Sequence, residues 1–214
     1  VAAATGGKFQ IQLFAAGELV PALEVFDAVS RGTAEMRHGA PYYWKGKVPA
    51  AQFFCALPFG PNAQEMNAWL HRGGGMQLWE ETYKPFGVLP MACGATGVQT
   101  AGWFNKEINS LEDLKGLKIR TILNPLYVDM LNTLGANAVP MPFPELYSAM
   151  ETKTVDGQEN PETTVDASKF YEVQKYATLS GHTYSPEVVV FSLATWKKIP
   201  AKYQEEILKA SAEA

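Results

Sequence analysis

Apolar and polar residues along this chain follow two periods, and the switches between them mark out its elements. Phe9, Ile11 and Leu13 alternate with Lys8, Gln10 and Gln12, a period of two that predicts a half-buried strand. Ala22, Val25, Phe26 and Val29 then recur at the i, i+3, i+4, i+7 spacing of one helical face. Pro21 suits the first turn of that helix and Gly32 its stop. A short piece over 34–38 leads to a loop, 39–47, that carries Tyr42, Tyr43 and Trp44 in succession. Three adjacent aromatics there fit either the wall of a pocket or an apolar plug under the loop.

Between Pro61 and Phe86 the pattern is helical twice, with Met66, Trp69 and Leu70 on one face and Leu78, Trp79 and Tyr83 on the next. Gly73, Gly74 and Gly75 separate the two. They lack the spacing, the lysine and the preceding strand of a phosphate cradle, so they read as a helix break. Residues 90–104 read as strands interrupted by glycines, as where a backbone approaches something closely. Ser110, with Asp113 in capping-box position, opens a short helix that Gly116 stops. Strand 117–121 follows, then a helix opened by Asn124-Pro125 and closed by Gly135. Strand 138–141 and a helix from Pro144-Glu145 deliver the chain to Val155-Asp156-Gly157. A helical stretch near 165–175, an apolar, β-branched strand at 187–193 and a last helix from Pro200 complete the series. Such alternation predicts an α/β fold with a largely parallel sheet.

Composition narrows the partners. The 214 residues are 47% apolar and 19% charged, the balance of an ordinary globular chain with a sizeable core. A formal net charge of −4 excludes the broad basic surface that nucleic acid or an anionic membrane needs, so an anionic ligand would require a local cation. No apolar run is long enough to span a bilayer, and no secretory h-region opens the chain. Cys55 and Cys93 permit one disulfide without implying it. His38, His71 and His182 are scattered, which gives no support to a zinc site or a Cys-His nucleophile.

In an open α/β sheet, ligands sit beyond the carboxyl ends of the strands. Arg120 and the Glu159-Asn160 pair fall at two such ends. The planar arginine fork makes two parallel charge-assisted bonds to a carboxylate, Asn160 can donate its amide to the same ligand, and Gln99 can do so from the preceding strand. An arginine at a strand end is more often only a solvated charge or half of an ion pair than a ligand anchor. Glu159 as the general base of an enzyme acting on a small acid is the rival reading, and no nucleophile, histidine or metal triad accompanies it.

The run Leu117-Lys118-Ile119-Arg120, the run from Asp156 to Pro161, the stretch Ser168 to Tyr176, Ala15 to Leu19, and Pro144-Glu145-Leu146-Tyr147 resemble the substrate-binding proteins of TRAP transporters along nearly the whole chain. That resemblance implies a receptor and not an enzyme. Its fold would be α/β and two-lobed, like other periplasmic binding proteins, with mixed sheets, flanking helices and a ligand cleft between the lobes. The expected division is 1–97 with 187–214 as one lobe and 98–186 as the other. Arg120 would pair with the carboxylate of a small organic acid, Asn160 would be the polar contact, and Tyr42, Tyr43 and Trp103 would line the wall. Delivery would be to the membrane subunits of the transporter, from the periplasm.

The segments Gly39 to Trp44, Leu57 to Gly60 and Gly97 to Phe104 are similar to the branch that binds 2-oxo monocarboxylates such as pyruvate together with a metal ion. There, a glutamine matching Gln99 and a glutamate matching Glu159 touch the cation, Na⁺ or Ca²⁺. From Arg120 onward the chain is more similar to the dicarboxylate and sugar-acid branch, which requires no metal and has Asn160 where the first branch has an aromatic. Two oxygen ligands do not complete a Ca²⁺ cage unless substrate and backbone add to it. The family's usual first strand and helix before Phe9, and its helices after Ala214, have no counterpart here, so the first lobe is expected to be incomplete at both ends.

Overall fold

Secondary structure follows the two periods closely in a computed structural model, which describes residues 1–100 and 102–213. Ala101, inside the Gly97 to Phe104 run, and Ala214 lie outside the described residues. In chain order the elements are α1 (Val25–Ser30), β1 (Met36–Gly39), α2 (Ala63–Arg72), α3 (Gly75–Tyr83), β2 (Val88–Val98), β3 (Gly102–Phe104), β4 (Lys118–Thr121), α4 (Pro125–Thr133) and β5 (Asn137–Pro140). They continue with α5 (Leu146–Glu151), β6 (Gly157–Gln158), α6 (Glu162–Ala167), β7 (Tyr176–Thr178), β8 (Tyr184–Ser192), α7 (Leu193–Trp196) and α8 (Ala201–Glu213). No helix among the described residues is long and apolar enough to cross a membrane.

The chain divides into two compact units. One comprises Val1–Phe54, Asn67–Ala95 and Pro186–Ala214; the other comprises Cys55–Met66 and Thr96–Ser185. In the first, the strands run in the order β1-β8-β2, with β1 antiparallel to β8 and Met36 opposite Phe191. Met91, Phe191, Ile199 and Ile207 form a core under that sheet. A second, aromatic core surrounds Phe26, whose ring lies 5.9 Å from Trp44 and 5.4 Å from Tyr83. The Arg37 guanidinium packs on Trp44 at 3.6 Å, and burial lowers its pKa to about 10.

The second unit has a five-stranded sheet in the order β5-β4-β6-β3-β7. The pairs β4–β5 and β4–β6 are parallel, whereas β3 runs antiparallel to both β6 and β7. The largely parallel sheet expected from alternation alone is therefore wrong, and the mixed sheets with flanking helices implied by the resemblance are what is found. Helical crossovers α4 and α5 make their strand neighbours parallel, but β3 inserts between β6 and β7 in the opposite sense. Alternate side chains point to opposite faces. Ile119 and Phe104 pack with Leu131 of α4 on one side, while Val139 and Trp103 pack with Leu146, Met150, Val165 and Phe170 on the other.

Three further expectations differ from the structure. Residues 9–13 form no strand: Ile11 is 45% and Leu13 88% exposed, and only Phe9 packs, 5.7 Å from Tyr203. A period of two makes a strand only when a ladder partner satisfies its backbone, and none of the described strands pairs with this segment. The helix expected over 165–175 breaks after α6, because Lys169 takes a left-handed conformation (φ 55°) and a 3-10 turn follows at Phe170–Glu172. The presumed loop at 41–44 is likewise a 3-10 turn, opened by Pro41.

Candidate functional site

Strand β4 explains how a charged residue reaches the interior. It lies between β5 and β6 with both faces covered, so only Lys118 at its start remains exposed, and Ile119, Arg120 and Thr121 are buried. Arg120 stands beside Val139 on one side and Gln158 on the other, and Gln158 stands beside Trp103. At 1% exposure the guanidinium cannot rely on water. Its Nε and Nη2 both donate to the Met141 carbonyl, at 3.2 and 3.0 Å, which fixes the plane of the group. Nη1 is buried without a hydrogen-bond partner.

Glu159 follows β6 directly, and its backbone N–H donates to the Arg120 carbonyl at 3.3 Å. Its side chain is 2% exposed, and neither carboxylate oxygen has a hydrogen-bond partner. Burial pushes its pKa up to about 8, against the opposing pull of Arg120 and of the Tyr127 hydroxyl. Tyr127, on α4, is itself buried, and its hydroxyl lies 2.7 Å from His182 Nε2. Burial lowers the pKa of His182 to about 4 and raises that of Tyr127. His182 Nδ1 meets the Ser180 hydroxyl at 2.5 Å.

The other sequence-predicted residues of this unit are Asn160, Trp103 and Gln99. Asn160 is buried; its side-chain amide donates to Gln158 Oε1, and its carbonyl accepts from Thr100 and Trp103. Trp103 is thus engaged through its indole N–H as well as placed in the α5–α6 core. Gln99 is buried, its backbone N–H donates to the Thr183 carbonyl at 3.0 Å, and its Oε1 has no partner. Gln99 and Thr100 border a cavity of about 370 Å³ together with Pro161, Glu162 and Leu179, whereas Arg120 and Glu159 are not among its lining residues. Tyr42 and Tyr43 belong to the first unit. Tyr42 is buried and Tyr43 half-buried, and their rings lie 4.7 Å apart.

Sequence reasoning missed Thr121, Asn124, Gln158 and His182. Thr121 Oγ1, Asn124 Nδ2 and Gln158 Nε2 are all buried without partners, which extends the line of unpaired polar atoms along the ends of β4 and β6. Asn124 was legible only as a cap, and its Oδ1 does cap α4 through the Leu126 N–H at 3.0 Å. Unpaired buried groups are uncommon in folded proteins, and a run of them points to a missing partner. Among the described residues no group of three or more His, Cys, Asp and Glu is arranged to hold a metal ion. The free oxygens of Glu159 and Gln99 suit a hard cation only if a bound ligand adds its own.

Comparison with known proteins gives a consistent picture. The model of the DctP family, described as bacterial extracellular solute-binding protein, family 7, matches residues 1–214. A monocarboxylate 2-oxoacid-binding periplasmic protein from Nostoc sp. is 40% identical over 217 residues, covering 100% of this chain and 59% of that protein. A TRAP transporter solute-binding protein from Bordetella bronchiseptica, with calcium and picolinate bound in one site, superposes with a TM-score of 0.89 at 34% identity, covering 99% of this chain and 63% of that one. A second, from Pseudoalteromonas atlantica with sodium and pyruvate bound, gives 0.87 at 35% identity, covering 99% and 64%. The chain therefore spans about three-fifths of the length of these relatives.

Proposed function

Because the chain belongs to the family 7 bacterial extracellular solute-binding proteins, we propose that it forms part of a periplasmic receptor that captures a small organic monocarboxylate and passes it to the membrane subunits of a TRAP transporter. The two compact units are read as parts of its two lobes. The ligand is read as a 2-oxo acid such as pyruvate, since the Nostoc relative carries that name and the Pseudoalteromonas structure contains that acid.

One observation carries this reading: Arg120 is buried, its plane is fixed by Met141, and one of its nitrogens has no acceptor. A buried N–H without a partner costs on the order of 1–3 kcal/mol, and more in a charged group, so the site favours an incoming anion. In this unit Arg120 is the one buried Lys or Arg among the described residues, which supports a ligand with a single carboxylate. Asn160 is assigned as the contact to the rest of the ligand, with Gln99 beside it. Glu159 and Gln99 are assigned to a Na⁺ or Ca²⁺ ion that enters with the ligand, as ions accompany the ligands in the two solved relatives. Trp103, Tyr42 and Tyr43 are assigned to the wall on the strength of the resemblance. The assigned process is capture and release without covalent chemistry.

A thermal-shift screen of 2-oxo acids, hydroxy acids, dicarboxylates and sugar acids, with Na⁺, Ca²⁺ or chelator, tests the ligand and the ion together. A response to pyruvate that the chelator weakens is expected, and a response to sugar acids alone would replace this reading with the metal-independent branch. Arg120→Ala should lower the affinity for the responding acid by at least about 2 kcal/mol, as when one partner of a buried charge pair is removed. Undiminished affinity in calorimetric titration would remove Arg120 from the site.

A further inference from the structure

The carbonyl oxygen of Asn160 is held by two donors at once, the Thr100 hydroxyl at 2.8 Å and the Trp103 indole N–H at 2.9 Å. A backbone carbonyl has two lone pairs, so this oxygen has no acceptor capacity left. Thr100 is 5% and Asn160 7% exposed, which keeps water from competing for either bond. Both ties are long-range, spanning 60 and 57 residues of sequence. Asn160 lies in the turn between β6 and α6, and the residue after it is Pro161, which has no N–H to help hold that turn. Side chains of the preceding segment and of β3 supply the donors instead. The Asn160 amide in turn donates to Gln158, whose strand neighbours are Trp103 and Arg120.

We propose that Thr100 and Trp103 are positioning residues for ligand discrimination: by saturating the Asn160 carbonyl they hold Asn160 in register with Arg120, so that it reads the substituent on the carbon next to the ligand carboxylate. Neither donor group needs to touch the ligand for this. The inference rests on Arg120 holding that carboxylate. Discrimination then depends on how rigidly Asn160 is fixed, because a polar contact selects between ligands only when it cannot drift to follow them.

The test titrates pyruvate and propionate, three-carbon acids that differ at the carbon next to the carboxylate, into the wild-type protein and into Thr100→Ser, Thr100→Val, Trp103→Phe and Arg120→Ala. Wild-type protein should prefer pyruvate. Thr100→Ser keeps the hydroxyl and should keep the preference. Thr100→Val and Trp103→Phe should each lower the pyruvate-to-propionate ratio roughly fivefold to tenfold, the scale of one lost hydrogen bond. If Thr100→Val does not fold, Trp103→Phe and Thr100→Ser still decide. A purely structural role would lower thermal stability or weaken both acids alike and leave the ratio intact. That result overturns the proposal, as does a wild-type ratio of one. Undiminished binding in Arg120→Ala would overturn the site reading and this proposal with it, whereas an unchanged ratio beside a lost Arg120→Ala affinity overturns the proposal alone.

Discussion

Two nitrogens of Arg120 donate to one carbonyl, and that leaves the third free in a place where water has no access. Glu159 is its counterpart, a buried carboxyl whose charge is disfavoured by burial more than Arg120 and the Tyr127 hydroxyl favour it. With a pKa near 8 it carries its proton at pH 7, so a cation arriving there must displace that proton. Ion-dependent ligand binding should therefore strengthen as pH rises from 6 toward 8, by up to about tenfold per pH unit, and level off above. Calorimetry in buffers of different ionisation enthalpy counts the released proton. A count of zero at pH 7, or an unchanged pH dependence in Glu159→Gln, would remove the ion from Glu159. At this scale the sequence was informative about charge but not about satisfaction: Arg120 stands out as a strand-end cation, whereas the unpaired states of Thr121 and Gln158 arise only from strand packing. His182 looked isolated in the sequence, and only the fold brings it to Tyr127.

Between elements, the joint of β3 and β6 is set by two glycines. Phe104 is opposite Gly157 in the register, and its ring covers both Gly157 and Gly102, so that a Cβ at either position would overlap it. Neither glycine has a positive φ, so the requirement is close approach and not backbone freedom. Gly157→Ala should destabilise the second unit by about 1–3 kcal/mol, the usual cost of overpacking a filled core, and Phe104→Leu in the same chain should recover part of that loss. Urea unfolding of the two single variants and the double variant tests this; an additive double variant would mean that the ring and the glycine do not meet. Helices and strands with long periodic patterns were legible, including the break between α2 and α3 and the buried run of β8. The strand expected at 9–13 was not realised, because alternation reports only which side chains favour burial and says nothing of a partner. Strand direction in the mixed sheet was hidden for the same reason: it depends on which strands become neighbours.

Across the whole molecule, two buried carboxyls and the half-buried His182 set opposing slopes of stability against pH. Glu159 and Glu187 have pKa values raised by burial to about 8 and about 7, so the folded chain holds two protons that the unfolded chain releases near 4.5. Wherever the folded state binds more protons, stability falls as pH rises, here from about 4.5 through each folded value. His182 works the other way: with its pKa lowered to about 4, the unfolded state binds the extra proton between pH 4 and 6.5, and stability rises with pH across that window. The effects oppose one another below pH 6.5, and above it only the carboxyls contribute. Between pH 6.5 and 8 stability should therefore fall, by no more than about 1.4 kcal/mol per pH unit for each carboxyl. Glu187 acts against Arg37 in the first unit and Glu159 against Arg120 in the second, so Glu187→Gln and Glu159→Gln should each remove their own share of the slope and the double variant should remove both. Urea midpoints at pH 6.5 and 8 measure it. A wild-type chain equally stable at both values would mean that these carboxyls are ionised in the fold, and would also remove the proton that ion binding at Glu159 is expected to release.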